Sequence, residues 1–337
     1  MSTPTSLDLP GGVRRTTIHT SRGAFAALEA APVSGVWERE AALLVPGYTG
    51  SKEDFLAILD LLADGSRQVI AVDMRGQFQT APAAGRDGYS AAALGADVAA
   101  IVHATGARHL VGHSYGGLVV REAVLSETGL LGEAGLAGAA GLAGAAGLAD
   151  GVGLAGAELE IESVTLMGSG PGALHGPRAR EVRLMLTALG VTDDHIPDRG
   201  TLADGIAEIW RARLEPQAIA AGVPAPIIAF LGRRMLSNDP AGLVLMARHM
   251  LTAPDRTAEL AALDLPVLVI YGEDDNAWSP ASQEKMAGKL NARRVCIPGA
   301  AHSPSVEAPA TTAGALTQFW DATEAARLEH AAIMRPA

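Results

Sequence analysis

A serine set between two glycines constrains this chain more than any other feature. Residues 112–116 read Gly-His-Ser-Tyr-Gly; an apolar run ends before them at Val111, and a run of helical character follows from 117 to 127. A tight turn from strand to helix strains the backbone of its central residue and leaves no room for side chains two positions to either side. The pattern predicts such a turn, a nucleophile elbow, with Ser114 as the candidate nucleophile.

A serine hydroxyl is a weak nucleophile at neutral pH, so it needs an imidazole that accepts its proton and a carboxylate that orients the imidazole. The apolar run 265–271 has the composition of a strand buried on both faces of a parallel sheet, and three carboxylates follow it at 273–275. A second strand-like run, 294–298, leads to His302. Serine, acid and histidine therefore occur in that order along the chain.

This order, together with the glycine-flanked serine, resembles the α/β-hydrolase fold superfamily, and within it the branch of serine esterases and haloperoxidases with a helical cap. The likeness runs from about residue 16 to residue 320. It implies an α/β fold whose mostly parallel central sheet carries helices on both faces, with a helical cap inserted between strands six and seven. It also implies that Asp275 is the carboxylate that orients the histidine; Asp274 and Glu273 are the competing candidates for this role.

The resemblance further implies how the negative charge that develops on a substrate oxygen is stabilised. It assigns the oxyanion hole to the backbone N–H groups of Tyr115 and of Tyr48, which lies in the loop after the apolar run 42–45. The chain departs from the usual pattern at Pro46, where a histidine is frequent. It departs again at 75–77, which read Arg-Gly-Gln instead of Arg-Gly-His.

We expect those departures to affect loop architecture more than chemistry. Asp73 and Arg75 are predicted to hold the loop after strand four. His302 is one of nine histidines, and the resemblance singles it out because it follows the last strand in a Pro-Gly-x-x-His loop.

Length and composition predict one α/β domain with an insertion, because 337 residues with 48% hydrophobic content can bury one large core. We expect the hydrolase core at residues 16–170 and 264–325 and the cap at 171–263. Residues 129–157 are predicted to be a low-complexity loop of Gly, Ala and Leu within the first part. The run is too rich in glycine for a membrane span.

Apolar periodicity predicts cap helices around 179–189, 202–214, 227–236 and 243–251. Large apolar side chains in these helices are candidates for lining a substrate pocket, although packing between the helices is the favoured alternative: Met185, Trp210, Phe230 and Met246. The cap also holds ten arginines and ten carboxylates. An arginine turned inward would suit an anionic substrate group, but solvated helix faces explain the count equally well and are favoured.

Charge and cysteine content exclude several classes of protein. A net charge of -11 argues against a nucleic-acid partner. The single cysteine, Cys296, rules out an intramolecular disulfide and is expected to be buried in a strand. The first ten residues lack the features of a signal peptide, so the cytoplasm is the expected location. We expect no metal and no organic cofactor; the sequence leaves a homo-oligomer open.

The resemblance implies a serine hydrolase that cleaves an ester, lactone or thioester of a small to medium apolar small-molecule substrate through an acyl-enzyme. Three other activities would use the same residues: a carbon–carbon bond hydrolase, a cofactor-free perhydrolase and an aminopeptidase that prefers N-terminal proline. The alternative from another class is a receptor that binds a ligand without turnover. The presence of Ser114, Asp275 and His302 together favours an enzyme.

Overall fold

An eight-stranded sheet forms the centre of the molecule. The computed structural model describes residues 2–32, 38–64, 66–126 and 161–333. The predicted low-complexity loop at 129–157 therefore lies outside the described residues. The strands, in chain order, are β1 Val13–Thr20, β2 Gly23–Ala30, β3 Ala42–Val45, β4 Val69–Val72, β5 His109–His113, β6 Ser163–Met167, β7 Val267–Gly272 and β8 Arg293–Ile297.

The strands lie side by side in the order β1-β2-β4-β3-β5-β6-β7-β8. β1 pairs with β2, and β2 with β4, in antiparallel fashion, whereas every pair from β4 to β8 is parallel. β3, β4, β5, β6 and β7 are buried along their whole length, as their continuous apolar runs predict. The mostly parallel sheet expected from the sequence is confirmed.

The prediction that Cys296 is buried was wrong. Cys296 is exposed, because β8 is the last strand of the sheet and most of its residues face solvent. The short apolar run at 294–298 does not distinguish an edge strand from a central one.

Helices cover both faces of the sheet. The α-helices are α1 Leu56–Ala63, α2 Ala91–Thr105, α3 Tyr115–Ser126, α4 Gly176–Ala188, α5 Arg199–Ile209, α6 Glu215–Ala220, α7 Ala225–Ser237, α8 Pro240–Thr252, α9 Thr257–Ala261, α10 Pro280–Lys289, α11 Pro304–Glu307 and α12 Pro309–Ile333. Residues of α2, α3 and α10 pack on one face and residues of α1 and α12 on the other. None of these described helices is long and apolar enough to cross a membrane.

The segment between β6 and β7 is helical, as predicted, and contains α4 to α9; we call residues 171–263 the helical insertion. One of these helices differs from the prediction that we made from apolar periodicity. The single helix expected over 202–214 is α5 followed by a turn of π-helix, Trp210–Leu214. A π-turn adds one residue to a helical turn, and an apolar repeat of 3.6 residues does not reveal it.

A buried charge cluster fastens α12 to the sheet. Arg67 Nη1 lies 2.5 Å from Glu324 Oε1, and the same carboxylate oxygen lies 3.0 Å from His109 Nε2, at the start of β5. Burial acts to raise the pKa of Glu324, but the hydrogen bonds from His109 and Arg67 prevail and lower it to about 2. Arg67 and His109 are fully buried; Arg67 also lies 3.0 Å from Asp321, but that side chain is 39% exposed, so Glu324 is the main buried counter-charge of the cluster.

Glu324→Gln should therefore destabilise the protein by about 3 kcal/mol, because it keeps the shape of the side chain but leaves a buried guanidinium without its main counter-charge. The measurement is the free energy of unfolding in urea at pH 7. Glu329→Gln, on an exposed part of the same helix, is the control. A loss below about 0.5 kcal/mol in Glu324→Gln would show that the cluster is dispensable.

Candidate active site

The turn predicted at 112–116 is present, with Ser114 at its tip between β5 and α3. Ser114 has a φ of 55°, in the left-handed region that side chains rarely adopt. Its N–H donates to the carbonyl of Met167, at the end of β6, over 2.8 Å. A Cβ on Gly112 would lie 2.4 Å from the Gly116 carbonyl oxygen, so the spacing of the glycines follows from steric exclusion.

Three side chains meet at this turn. Ser114 Oγ lies 2.9 Å from His302 Nε2, and His302 Nδ1 lies 3.0 Å from Asp275 Oδ1. A carboxylate only accepts hydrogen bonds, so Nδ1 of a neutral His302 is the donor and Nε2 is left to accept from the serine hydroxyl. The structure brings together the serine, histidine and acid that the sequence singled out.

Asp275 is the carboxylate that reaches His302, whereas Asp274 and Glu273 are exposed. The Asp275 side chain is fully buried. Besides His302 it accepts the N–H of Ala277 over 2.8 Å and the side-chain amide of Gln283 over 2.9 Å. These donors fix its orientation and replace the water that burial removes.

His113, directly before Ser114, contacts the loop that carries His302. Its Nε2 donates to the backbone carbonyl of His302 over 2.8 Å, and the two rings lie 5.2 Å apart. Burial, and then the neighbouring His302, lower the pKa of His113 to about 3. The ring is therefore neutral at physiological pH, and it holds the loop that carries His302.

The loop at 46–51 lies directly beside the serine. A Cβ on Gly47 would lie 2.9 Å from Ser114 Cβ, so only glycine fits there. Gln77, at the position where the sequence departs from the usual histidine, donates its side-chain amide to the Gly47 carbonyl over 3.0 Å. The Tyr48 N–H follows in this loop, and the Tyr115 N–H is at the first turn of α3, where amides have no partner within the helix.

The structural roles predicted for Asp73 and Arg75, which were expected to hold the loop after strand four, are confirmed. Asp73, fully buried, accepts the backbone N–H and the ammonium group of Lys52, each over 2.8 Å. Arg75 donates to Asp97 on α2. Both contacts hold the loop after β4, and neither residue is among those that line the cavity described next.

A cavity of about 320 Å³ opens above Ser114 and His302. Its walls combine the loops at the ends of the strands with the helical insertion, and most of the side chains from the insertion are apolar: Leu174, Val182, Met185, Ile209, Leu214, Met235 and Met250. Tyr48 and Trp278 add aromatic surface. Such a cavity suits a small to medium organic group next to the serine hydroxyl.

Of the four pocket candidates, Met185 lines this cavity. Trp210, Phe230 and Met246 are buried in the hydrophobic core instead. Trp210 packs on Gly232, and Phe230 makes an edge-to-face contact with Phe78, with ring centroids 5.6 Å apart. Periodicity identified these side chains as inward-facing, but it does not separate packing between helices from exposure to a cavity.

Sequence reasoning missed Gln283 and the part that His113 plays. Gln283 lies eight residues after Asp275 on α10, and its fully buried amide also donates to the Trp278 carbonyl over 2.8 Å. A lone glutamine on a helix carries no sequence signal of such a contact. His113 had one signal, its place directly before Ser114, but its acceptor lies 189 residues away along the chain.

Two curated proteins are similar to part of the chain. A protein of Variovorax paradoxus (strain S110), named provisionally as the carbamate hydrolase RutD, is 40% identical over 97 residues, 28% of this chain and 36% of that protein. The 2-succinyl-6-hydroxy-2,4-cyclohexadiene-1-carboxylate synthase of Enterobacter sp. (strain 638) is 35% identical over 92 residues, 27% and 34% of the two chains. The matches thus span about a third of the length of these curated relatives.

Solved structures share the fold over nearly the whole chain. A thermophilic esterase from Thermogutta terrifontis superposes with a TM-score of 0.62 at 20% identity, covering 92% of this chain and 99% of that one. The model of the alpha/beta hydrolase family matches residues 42–315, from β3 into α12. The chain therefore belongs to the alpha/beta hydrolase family, and this match confirms the family and the class of hydrolytic enzyme that its motifs predict.

Proposed function

We propose that the protein is a serine hydrolase that cleaves a carboxylic ester through an acyl-enzyme. The observation that carries this proposal is the continuous hydrogen-bonded series Ser114–His302–Asp275, which begins at the floor of an apolar cavity. Membership of the alpha/beta hydrolase family and the fold that the chain shares with an esterase also support it. The cavity's size and apolar walls favour a small to medium substrate, with the scissile carbonyl beside Ser114.

In the first half-reaction, Ser114 Oγ attacks the carbonyl carbon while its proton passes to His302 Nε2. The buried Asp275 carboxylate holds His302 by Nδ1 and stabilises the imidazolium that forms. The carbon–oxygen bond to the alkoxy group then breaks, and His302 returns the proton to the leaving alcohol. Ser114 is left as an ester of the substrate's acid.

The second half-reaction repeats these steps with water. His302 takes a proton from the water molecule, hydroxide oxygen bonds to the acyl carbon, and the proton then returns to Ser114 as the acid leaves. In both halves the carbonyl oxygen becomes negatively charged. The N–H groups of Tyr48 and Tyr115, on the two backbone segments that flank Ser114, are the donors that we assign to it.

Ser114→Ala should lower kcat for 4-nitrophenyl butyrate by about 10⁴-fold or more, because it removes the nucleophile but leaves the cavity and the fold in place. Initial rates with matched circular dichroism spectra measure this. Ser282→Ala, on α10 and outside the cavity lining, is the control and should keep its activity. Wild-type turnover by Ser114→Ala would contradict the proposal.

Asp275→Asn should lower kcat by about 10³-fold or more, since an amide can donate to His302 Nδ1 and so favour the wrong tautomer. Asp274→Asn, at an exposed neighbouring position, should stay within a few fold of the wild type. Rates with the same ester distinguish the two. The opposite order of effects would assign the acid to Asp274.

Stability should depend on pH through His113. Its pKa is about 3 in the folded protein and about 6.5 when unfolded, so below pH 6.5 the unfolded chain binds a proton that the folded one excludes. The stability contribution is thus present above pH 6.5 and is lost as pH falls towards 3. Between pH 7 and pH 5 the wild type should lose about 2 kcal/mol more than His113→Gln, which keeps an N–H donor.

Urea unfolding of both proteins at the two pH values measures this difference. Equal losses in the wild type and in His113→Gln would show that His113 is not held neutral by the fold.

A further inference from the structure

Five charged side chains line the cavity above Ser114: Asp54, Arg178, Glu181, Arg213 and Glu307. Arg178 and Glu181 neutralise each other, with 2.7 Å between Nη1 and Oε2. The other amino group of Arg178 donates to the side chain of Asn276 over 3.0 Å. This pair therefore adds no net charge to the cavity.

The two remaining carboxylates also have protein donors. Asp54 lies 2.6 Å from the guanidinium of Arg234, and both side chains are fully buried. Glu307 accepts the N–H of Ala301 over 2.6 Å and is otherwise exposed to solvent. Neither carboxylate is thus without a hydrogen-bond donor of its own.

Arg213 is different. It lines the cavity, yet its guanidinium makes no hydrogen bond and no ion pair with any residue in the part of the chain that the structure describes. Arg213 is thus the one charged group of the described lining that lacks a protein partner. A guanidinium presents a planar fork of donors that matches a carboxylate, and it keeps its charge at every physiological pH.

The π-turn Trp210–Leu214 places this arginine on the side of the helix that borders the cavity. Residues two positions apart on a helical turn point to roughly opposite sides. Arg211 points to solvent, where it lies 2.9 Å from Glu208 and its side chain is 68% exposed. Arg213 lies on the other side of the turn, where it lines the cavity together with its neighbour Leu214 and is at the same time exposed to solvent. Turns of this kind are frequent at functional sites.

The surroundings of Arg213 favour a strong contact with an anion. Arg213 is exposed at the edge of the cavity, and apolar side chains such as Ile209, Leu214 and Met235 line the same cavity, so an anion that binds Arg213 from inside is partly shielded from water, which strengthens a charge-assisted hydrogen bond. The protein as a whole carries a charge of -11, so its overall field repels anions. Selection of an anionic substrate would therefore depend on a local group of this kind.

We propose that Arg213 binds a carboxylate of the substrate, so that the esters cleaved at Ser114 carry a carboxylate in their acid or alcohol part. This inference rests on the proposed function, because it names the substrate class of the same site.

Two pairs of esters of matched size test the proposal. The first pair is 4-nitrophenyl hexanoate and the 4-nitrophenyl monoester of adipic acid, which end in a methyl group and a carboxylate. The second is 4-methylphenyl acetate and 4-acetoxybenzoate, which place the carboxylate in the alcohol part. For each pair the readout is the ratio of kcat/KM for the charged ester to kcat/KM for the neutral one.

In at least one pair, Arg213→Gln should lower that ratio by about tenfold or more, mainly through KM, since a hydrogen bond to a charged group is lost. Arg213→Lys keeps the charge and should recover part of it. Arg211→Gln, in the same π-turn but facing solvent, is the matched control and should leave the ratio within twofold. Ratios that Arg213→Gln leaves unchanged in both pairs would overturn the proposal.

A binding measurement separates this proposal from the proposed function. In a Ser114→Ala background, calorimetric titration with the adipate monoester and with 4-acetoxybenzoate should show at least one of them binding about tenfold more weakly after Arg213→Gln. If wild-type protein hydrolyses none of the four esters but this difference is found, the hydrolase mechanism fails and the carboxylate site stands. If the neutral esters are hydrolysed and no difference in affinity is found, the hydrolase mechanism stands and the carboxylate site fails.

Discussion

The close approach of the sheet's carboxyl edge to the turn at Ser114 is the constraint on which the site depends. The Ser114 N–H is tied to the end of β6 and its backbone is held at a φ of 55°. A Cβ on Gly116 would lie 2.4 Å from the Val45 carbonyl oxygen. Strain of this kind persists only where packing enforces it, and here it raises the hydroxyl out of the sheet towards His302.

Buried polar contacts join the helical insertion to the sheet and so set the roof of the cavity. The Arg234–Asp54 pair links α7 to the loop after β3. The Tyr115 hydroxyl lies 2.9 Å from His249 Nδ1, which connects the residue after Ser114 to α8. Breaking a buried pair leaves an uncompensated charge, so these contacts strongly favour one placement of the insertion.

The sequence predicted the sheet and the three side chains that meet at its edge, because short-range signals mark them. Continuous apolar runs identify buried parallel strands, and glycine spacing identifies the turn at Ser114. What it did not predict depends on contacts between distant segments. The exposure of Cys296, the hydrogen bond from Gln283 to Asp275 and the π-turn that places Arg213 beside the cavity all follow from tertiary packing, which a local pattern does not encode.

The central claim is that Ser114 forms a covalent acyl intermediate with His302 as its base. Reaction with a fluorophosphonate, followed by mass mapping of the labelled peptide, tests it most directly, since this reagent traps a serine only where a base and an oxyanion site activate it. The account predicts a single label on Ser114, lost in His302→Ala. A protein that remains unlabelled, or a label on another serine, would contradict it.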